Sequence, residues 1–214
     1  MATDRELLGE ATTSLKEHQQ RVAQRKSLLN AKLKSCLSGK SRIVLEIGCG
    51  HGHWLTDFAA ANKEVLCVGI DLIGNRIERA NRKASRVGLD NVHFLKAEAN
   101  EFLDQLPVGL GIELVFILFP DPWPKKRHWK NRIMNTGFLD KLSDRCLEGA
   151  RLHFRTDHRD YFDWAANAVA FAGKWNLLSD APWLFERETV FQSKADSYQS
   201  LIAEKRKIWS ADQL

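Results

Sequence analysis

The chain has 214 residues, a length at which one core usually suffices, because single cores stop growing near about 250 residues. With 44% apolar and 28% charged residues it has a globular composition, away from the poorly hydrophobic chains that stay disordered. Lys and Arg number 32 against 27 Asp and Glu, a formal net charge of +5, which favours an anionic partner such as nucleic acid.

The N-terminal MATDRELLGEATTS carries acids where a secretory leader needs an apolar run. The longest unbroken apolar stretch, residues 114–119, is far short of the roughly 18 residues that span a bilayer, so neither membrane attachment nor export is expected. Cys36, Cys49, Cys67 and Cys146 form no C-x-x-C pair, which excludes a zinc ribbon, gives no disulfide framework and fits a reducing cytoplasm.

Residues 4–37 hold one glycine, no proline and many Leu, Ala, Lys, Gln and Arg, which predicts helix with a break near Gly9. Lys16, Arg21, Arg25, Lys26, Lys32 and Lys34 make this segment basic, and residues 1–38 read as a helical extension of a single main domain over 39–214. From residue 42 the texture changes to apolar, β-branched runs at 42–47, 64–70, 91–97, 112–119 and 150–155. Between and after them lie helix-length segments at 53–62, 74–88, 98–106, 135–147 and 159–172. Such alternation predicts an α/β, Rossmann-like, doubly wound and mainly parallel sheet with helices on both faces. Beyond Gly173, segments 174–179, 183–192 and 197–208 predict two or three further strands, or strand plus helix.

In VLEIGCGHGHWL the first strand runs into Gly48, Gly50 and Gly52, where a glycine turn lets backbone amides approach a ligand. The spacing is G-x-G-x-G, and His53 stands where a dinucleotide fingerprint needs its third glycine, which argues against NAD. With Glu46 before it, the turn resembles that of the class I S-adenosylmethionine methyltransferases, whose likeness implies a seven-stranded sheet. Asp71 closes the second strand, where a carboxylate can accept from both ribose hydroxyls of a nucleoside or can cap the following helix. The glycine turn upstream favours the ribose. Glu98 follows the third strand, where the resemblance implies an acid facing the adenine amino group, and it can alternatively cap residues 98–106.

Prolines 120, 122 and 124 in IELVFILFPDPWPKKRHWKNRIMN bar helix and sheet pairing, so a stiff extended arm must leave the fourth strand. It starts at the carboxyl edge of the sheet, where open α/β folds bind ligands, and it carries Asp121. Lys125, Lys126, Arg127, Lys130 and Arg132 follow without an acid, interleaved with Trp123 and Trp129. Cations beside aromatic platforms suit a phosphate backbone, so Lys126, Arg127, Lys130 and Arg132 are candidate RNA contacts.

FPDPWPKKRHWKNR is similar to the signature loop of the tRNA (guanine-N7)-methyltransferases, FPDPW-x-K-x-RH-x-KRR. The resemblance covers about residues 43 to 192 and takes in RTDHRDYFDW and the Arg187, Thr189, Phe191 match. It implies that Glu46, Asp71, Glu98 and Asp121 contact S-adenosylmethionine, with Asp121 as the catalytic position. It further implies that Lys125, Asp157 and the segment from Thr189 to Gln192 contact tRNA as substrate, at a variable-loop guanosine. The chain departs from the family pattern at Asn131, at Glu98 where Asp is common, and at Gln192 where the family has Glu. Gln keeps a carbonyl acceptor but loses a charge, which weakens any ion pair made there.

His51, His53 and His128 have no acid or cysteine at ligand spacing, so no metal is expected. His153 and His158 flank the fifth strand and read as surface or packing residues, and Trp54, Trp164, Trp175, Trp183 and Trp209 as packing residues. The competing readings are a methyltransferase of the same fold acting on a small molecule or protein, and a non-catalytic RNA binder with a nucleoside pocket. The chain is expected as a monomer or homodimer.

Overall fold

The computed structural model describes residues 4–189 and 191–207, with side chains from Lys16 onward. Helix α1 (Asp4–Cys36) runs past Gly9 without a break. The alternating part comprises β1 (Arg42–Ile47), α2 (His53–Ala61), β2 (Cys67–Asp71), α3 (Gly74–Arg86), β3 (Val92–Lys96), α4 (Ala99–Gln105) and β4 (Gly111–Leu118). After a 3-10 turn (Lys126–Asn131) come α5 (Thr136–Ser143), β5 (Cys146–Thr156), α6 (Arg159–Phe171), β6 (Trp175–Leu178), a second 3-10 turn (Gln192–Lys194) and β7 (Gln199–Lys205).

The seven strands form one sheet in the order β3-β2-β1-β4-β5-β7-β6. Pairs among β1 to β5 are parallel, while β7 runs antiparallel to both β5 and β6. This is the Rossmann-like α/β architecture expected, and the strands are buried on both faces, so they read as unbroken apolar runs.

Leu29, Leu33 and Leu37 of the N-terminal segment join the core that α4, α5 and α6 make with one face of the sheet. On the opposite face α2 and α3 pack Trp54, Phe58, Ile77 and Ala80 onto Val44, Phe94 and Phe116. Arg25 bonds Glu101 and Lys26 pairs with Asp104 at 3.5 Å, so α4 takes up two of the six cations counted on α1.

Of the alternatives expected for the tail, the structure has two strands, β6 and β7. Among the described residues of 183–192 none is a strand. Trp183 and Phe185 instead lie over the sheet face beside Phe116, filling space that α2 leaves open, as a strap that makes no sheet pairing. Their alternation with exposed Leu184 and Glu186 imitates a strand pattern. Strand β5 starts earlier than expected, at Cys146, and bends at Gly149 with a φ of 72° before the apolar run. Residue 208 and Trp209 lie outside the described residues.

Candidate active site

Parallel pairing of β2, β1, β4 and β5 brings their carboxyl ends to one rim, in that spatial order. At its centre the glycine turn is tied to the end of β2, with the amides of Gly48 and Cys49 donating to the Ile70 carbonyl at 2.8 and 3.0 Å. Asp71 reinforces it: Oδ2 accepts from the Gly50 amide at 3.0 Å, Oδ1 from the Ile73 amide at 2.8 Å, and Arg76 stands 3.6 Å away. The carboxylate thus ties the residue that precedes α3 to the glycine turn.

The three glycines do different work. Gly48 and Gly50 have φ of 79° and 53° and open space where a Cβ would lie, which suits close approach of a ligand to the backbone. At Gly52 a Cβ would fall 2.6 Å from Phe94 and 2.7 Å from Ala80. Its smallness is needed to seat α2 against α3 and β3.

Glu46 lies beneath the turn, 4% exposed. Burial, then the Asp71 charge, raises its carboxyl to about 8, against a lowering hydrogen bond from the Leu55 amide. Its Oε2 has no hydrogen-bond partner. A buried orphan acceptor next to two open glycines fits a ligand that brings a donor or a cation. Glu98 spends its side chain locally, accepting from the Glu101 amide at 2.9 Å and from Asn100 at 3.0 Å, so it is the N-cap of α4.

The proline arm leaves β4 on this same rim, its first residue joined to β5 by Phe119 N–H donating to the Arg155 carbonyl at 2.8 Å. Residues 120–124 form neither helix nor strand, but the arm is not extended throughout as expected, because Trp123 turns left-handed at a φ of 45°, and the cationic run that follows closes into the first 3-10 turn. Asp121, Lys125, Lys126, Arg127 and Lys130 are exposed.

Arg132 corrects the sequence reading. It is fully buried, donating to the carbonyls of Pro122 (2.8 Å) and Asp160 (3.4 Å), with its guanidinium carbon 4.5 Å from the Trp129 ring centre, 4.9 Å from Tyr161 and 5.5 Å from Trp164. It braces the arm from inside and has no surface left for RNA. Trp129 is occupied by the same stack, edge-on to Trp164, and is not an open platform. Charge patterning could not show this, because a cation in a basic run reads as solvated.

On the far side of the arm, Arg155, the last residue but one of β5, is 4% exposed. It pairs with both oxygens of Glu186 (2.9 and 3.2 Å), donates to Gln192 Oε1 (3.1 Å) and Ser200 Oγ (2.9 Å), and lies 4.0 Å from the Trp183 ring centre. Gln192 in turn donates from its amide nitrogen to Thr189 Oγ1 and from Nε2 to the Tyr198 hydroxyl. Thus Thr189 and Gln192 are anchored to the rim by an arginine, and Glu186 supplies the carboxylate that Gln192 lacks. The sequence reading missed Arg155 and Glu186; a lone charge at the end of an apolar strand was the available signal. Asp157 is exposed just beyond.

His153 does not flank β5 but sits inside it, stacked on Phe116 with ring centres 4.6 Å apart, and burial holds it down at about 4. Among the described residues no His, Cys, Asp and Glu group is arranged to hold a metal, and no helix is long and apolar enough to cross a membrane.

The doubly wound sheet, with a glycine turn and a proline arm bearing Asp121 on one rim, defines a Rossmann-like α/β protein. A family described as "Putative methyltransferase" matches residues 40–211, and the chain belongs to it. Relatives named tRNA (guanine-N(7)-)-methyltransferase include one from Halorhodospira halophila, 40% identical over 126 residues (59% of this chain, 54% of that protein), and one from Caulobacter vibrioides, 38% identical over 139 residues (65% and 61%). A third, from Streptococcus mutans, is 32% identical over 142 residues (66% and 65%). The chain therefore spans about half to two thirds of the length of these curated relatives. Among solved structures, the 16S rRNA methyltransferase KamB superposes with a TM-score of 0.59 at 21% identity over 83% of this chain and 94% of that one. The antibiotic-resistance methyltransferase Kmr gives 0.58 at 20% over 84% and 94%. These likenesses place the fold among the class I methyltransferases.

Proposed function

We propose that the chain transfers a methyl group from S-adenosylmethionine to N7 of a guanosine in tRNA, at the variable loop, forming 7-methylguanosine in the cytoplasm. The observation that carries this reading is the arm with exposed Asp121 and four exposed cations, rising from the strand next to the glycine turn. The names of the relatives support the choice of tRNA and of N7. The division into a basic extension, 1–38, and a transfer domain, 39–214, belongs to the same reading.

When bound, S-adenosylmethionine supplies an electrophilic methyl group on sulfur. Gly48 and Gly50 would hold it against their open backbone, Glu46 would offer its orphan oxygen, and Asp71 and Glu98 would contact ribose and adenine. Guanine N7 has an in-plane lone pair and no proton, so no residue has to act as a base. Alignment of the two reactants accounts for much of the rate, and effective molarity can contribute about 7–11 kcal/mol. Asp121 orients guanine through its N1 and N2 donors, and its negative charge favours the cation that develops on the purine. Lys125, Lys126, Arg127 and Lys130 hold phosphate, while Asp157, Thr189 and Gln192 border the substrate.

The deciding experiment incubates the protein with labelled methyl donor and bulk tRNA and identifies the modified nucleoside by mass spectrometry. 7-Methylguanosine is expected. Label on another atom, or on no RNA, overturns the assignment.

A further inference from the structure

A cleft of about 400 Å³ opens between the glycine turn and α3, lined by His51, His53, Arg79, Arg82, Lys83 and Arg86. No acid lines it. On α3 the four cations stand at positions i, i+3, i+4 and i+7, which puts them on one face of the helix, over about 10 Å at 1.5 Å per residue. Like charges at these spacings repel, and the one acid of α3, Glu78, does not reach the cleft. Among the described residues Arg79, Arg82 and Arg86 form no ion pair or side-chain hydrogen bond. Lys83 differs, since its Nζ donates to the His51 carbonyl at 3.0 Å and fixes the outer wall of the glycine turn. His53 is held below the ordinary histidine range, by burial first and then by Lys83 and His51. Asp57, one turn along α2 from His53, is engaged by Arg187 at 2.7 Å. That ion pair joins the cleft to the segment carrying Thr189 and Gln192.

We propose that this cleft is a second phosphate-binding surface, which holds the RNA backbone on the side of the glycine turn away from the proline arm. The inference rests on the tRNA reading above and extends it. A folded RNA whose target base enters at the rim would then be gripped on two flanks, by Lys125, Lys126, Arg127 and Lys130 on the arm and by α3 across the turn. The charges of α3 are complementary to such an occupant. The side chains of Arg79, Arg82 and Arg86 are long and exposed, and they belong to a helix instead of a loop, which suits positioning of a backbone without reading of sequence.

The test uses the full chain with Arg82→Ala and Arg86→Ala combined, and with both changed to Lys. Alanine favours helix at exposed positions, so α3 should persist. Affinity for tRNA is measured between 50 and 200 mM salt, and binding of S-adenosylmethionine by calorimetry. The expected result is a slope of log K against log[salt] shallower by roughly 1.5, at about 0.7–0.9 for each phosphate no longer neutralised, with cofactor binding unchanged and the slope restored by the Lys pair. If the wild type methylates tRNA and the Ala pair binds it with unaltered affinity and slope, the cleft is not an RNA surface and the proposal falls alone. If the wild type neither binds nor methylates tRNA, the proposed function falls and takes this surface with it.

Discussion

Phe119 and Trp123 stand two residues to either side of Asp121, and both hold their backbone in the left-handed region, at φ of 50° and 45°. Among the described residues no other non-glycine residue does so. Such conformations cost on the order of 1–3 kcal/mol each and last only where the surroundings over-determine them. Here the surroundings are the β5 carbonyl that holds Phe119 and the buried guanidinium that holds Pro122. The backbone on either side of Asp121 is thus fixed by the fold.

Asp121→Ala should leave stability unchanged, because the side chain is exposed. Methyl transfer should fall by about 100-fold or more, the scale seen when one preorganised electrostatic partner is removed. Single-turnover transfer to tRNA, beside a thermal melt, checks both. Wild-type turnover in the variant would remove Asp121 from the mechanism.

Arg132→Ala should behave in the opposite way. Two hydrogen bonds from a buried cation and its stacking among three aromatic rings disappear, and a loss of about 3 kcal/mol in urea unfolding is expected. Transfer should drop although Asp121 is intact. Arg132→Lys cannot reach both carbonyls in one plane and should recover little of either. A stable, active Lys variant would show that the brace needs only a charge.

Glu46 sets a pH dependence whose sign follows from its raised carboxyl. Between the unfolded value of 4.5 and the folded value of about 8, the folded protein keeps a proton that the unfolded chain has released. Its contribution is therefore full at acid pH and is lost as pH rises through that window. His153 acts oppositely at lower pH: held at about 4 instead of 6.5, it costs stability as pH falls between those values. The two partly cancel below 6.5, and above it Glu46 acts without that opposition. Urea midpoints should decline from about pH 6.5 to 8 in the wild type and be flatter in Glu46→Gln. Parallel curves would mean that the buried carboxyl is ionised throughout.

Glu186 and Gln192 should be coupled through Arg155. Glu186→Gln leaves a buried arginine facing two amides and should loosen the strap, seen as faster proteolysis within 183–192 and slower transfer. Adding Gln192→Glu returns one carboxylate to Arg155 and should restore protection. In the wild-type background Gln192→Glu should change little, since the charge of Arg155 is already met. Additive effects of the two changes would break the proposed link.

The parallel half of the fold was legible because each buried strand is an apolar run punctuated by helix-length segments. The antiparallel edge was not ordered by the sequence, since β7 pairs with the distant β5 and β6 pairs only with β7, and the strap between β6 and β7 imitates a strand. Rim positions such as Asp71 were legible from chain order alone. What could not be read is the use of a charge turned inward: Arg132 and Arg155 look like surface cations until the aromatic rings that cover them are in place. His153 is the packing residue that one of its two readings expected, but within β5 instead of flanking it.

The placement of β7 between β5 and β6 orders events during synthesis. β6 pairs with β7 and Arg155 takes Ser200 from it, so both wait for a strand that leaves the ribosome after them. A nascent chain can build its glycine turn early, yet the segment carrying Thr189 and Gln192 is fastened late, since the Arg155 that holds Gln192 also bonds Ser200 of β7.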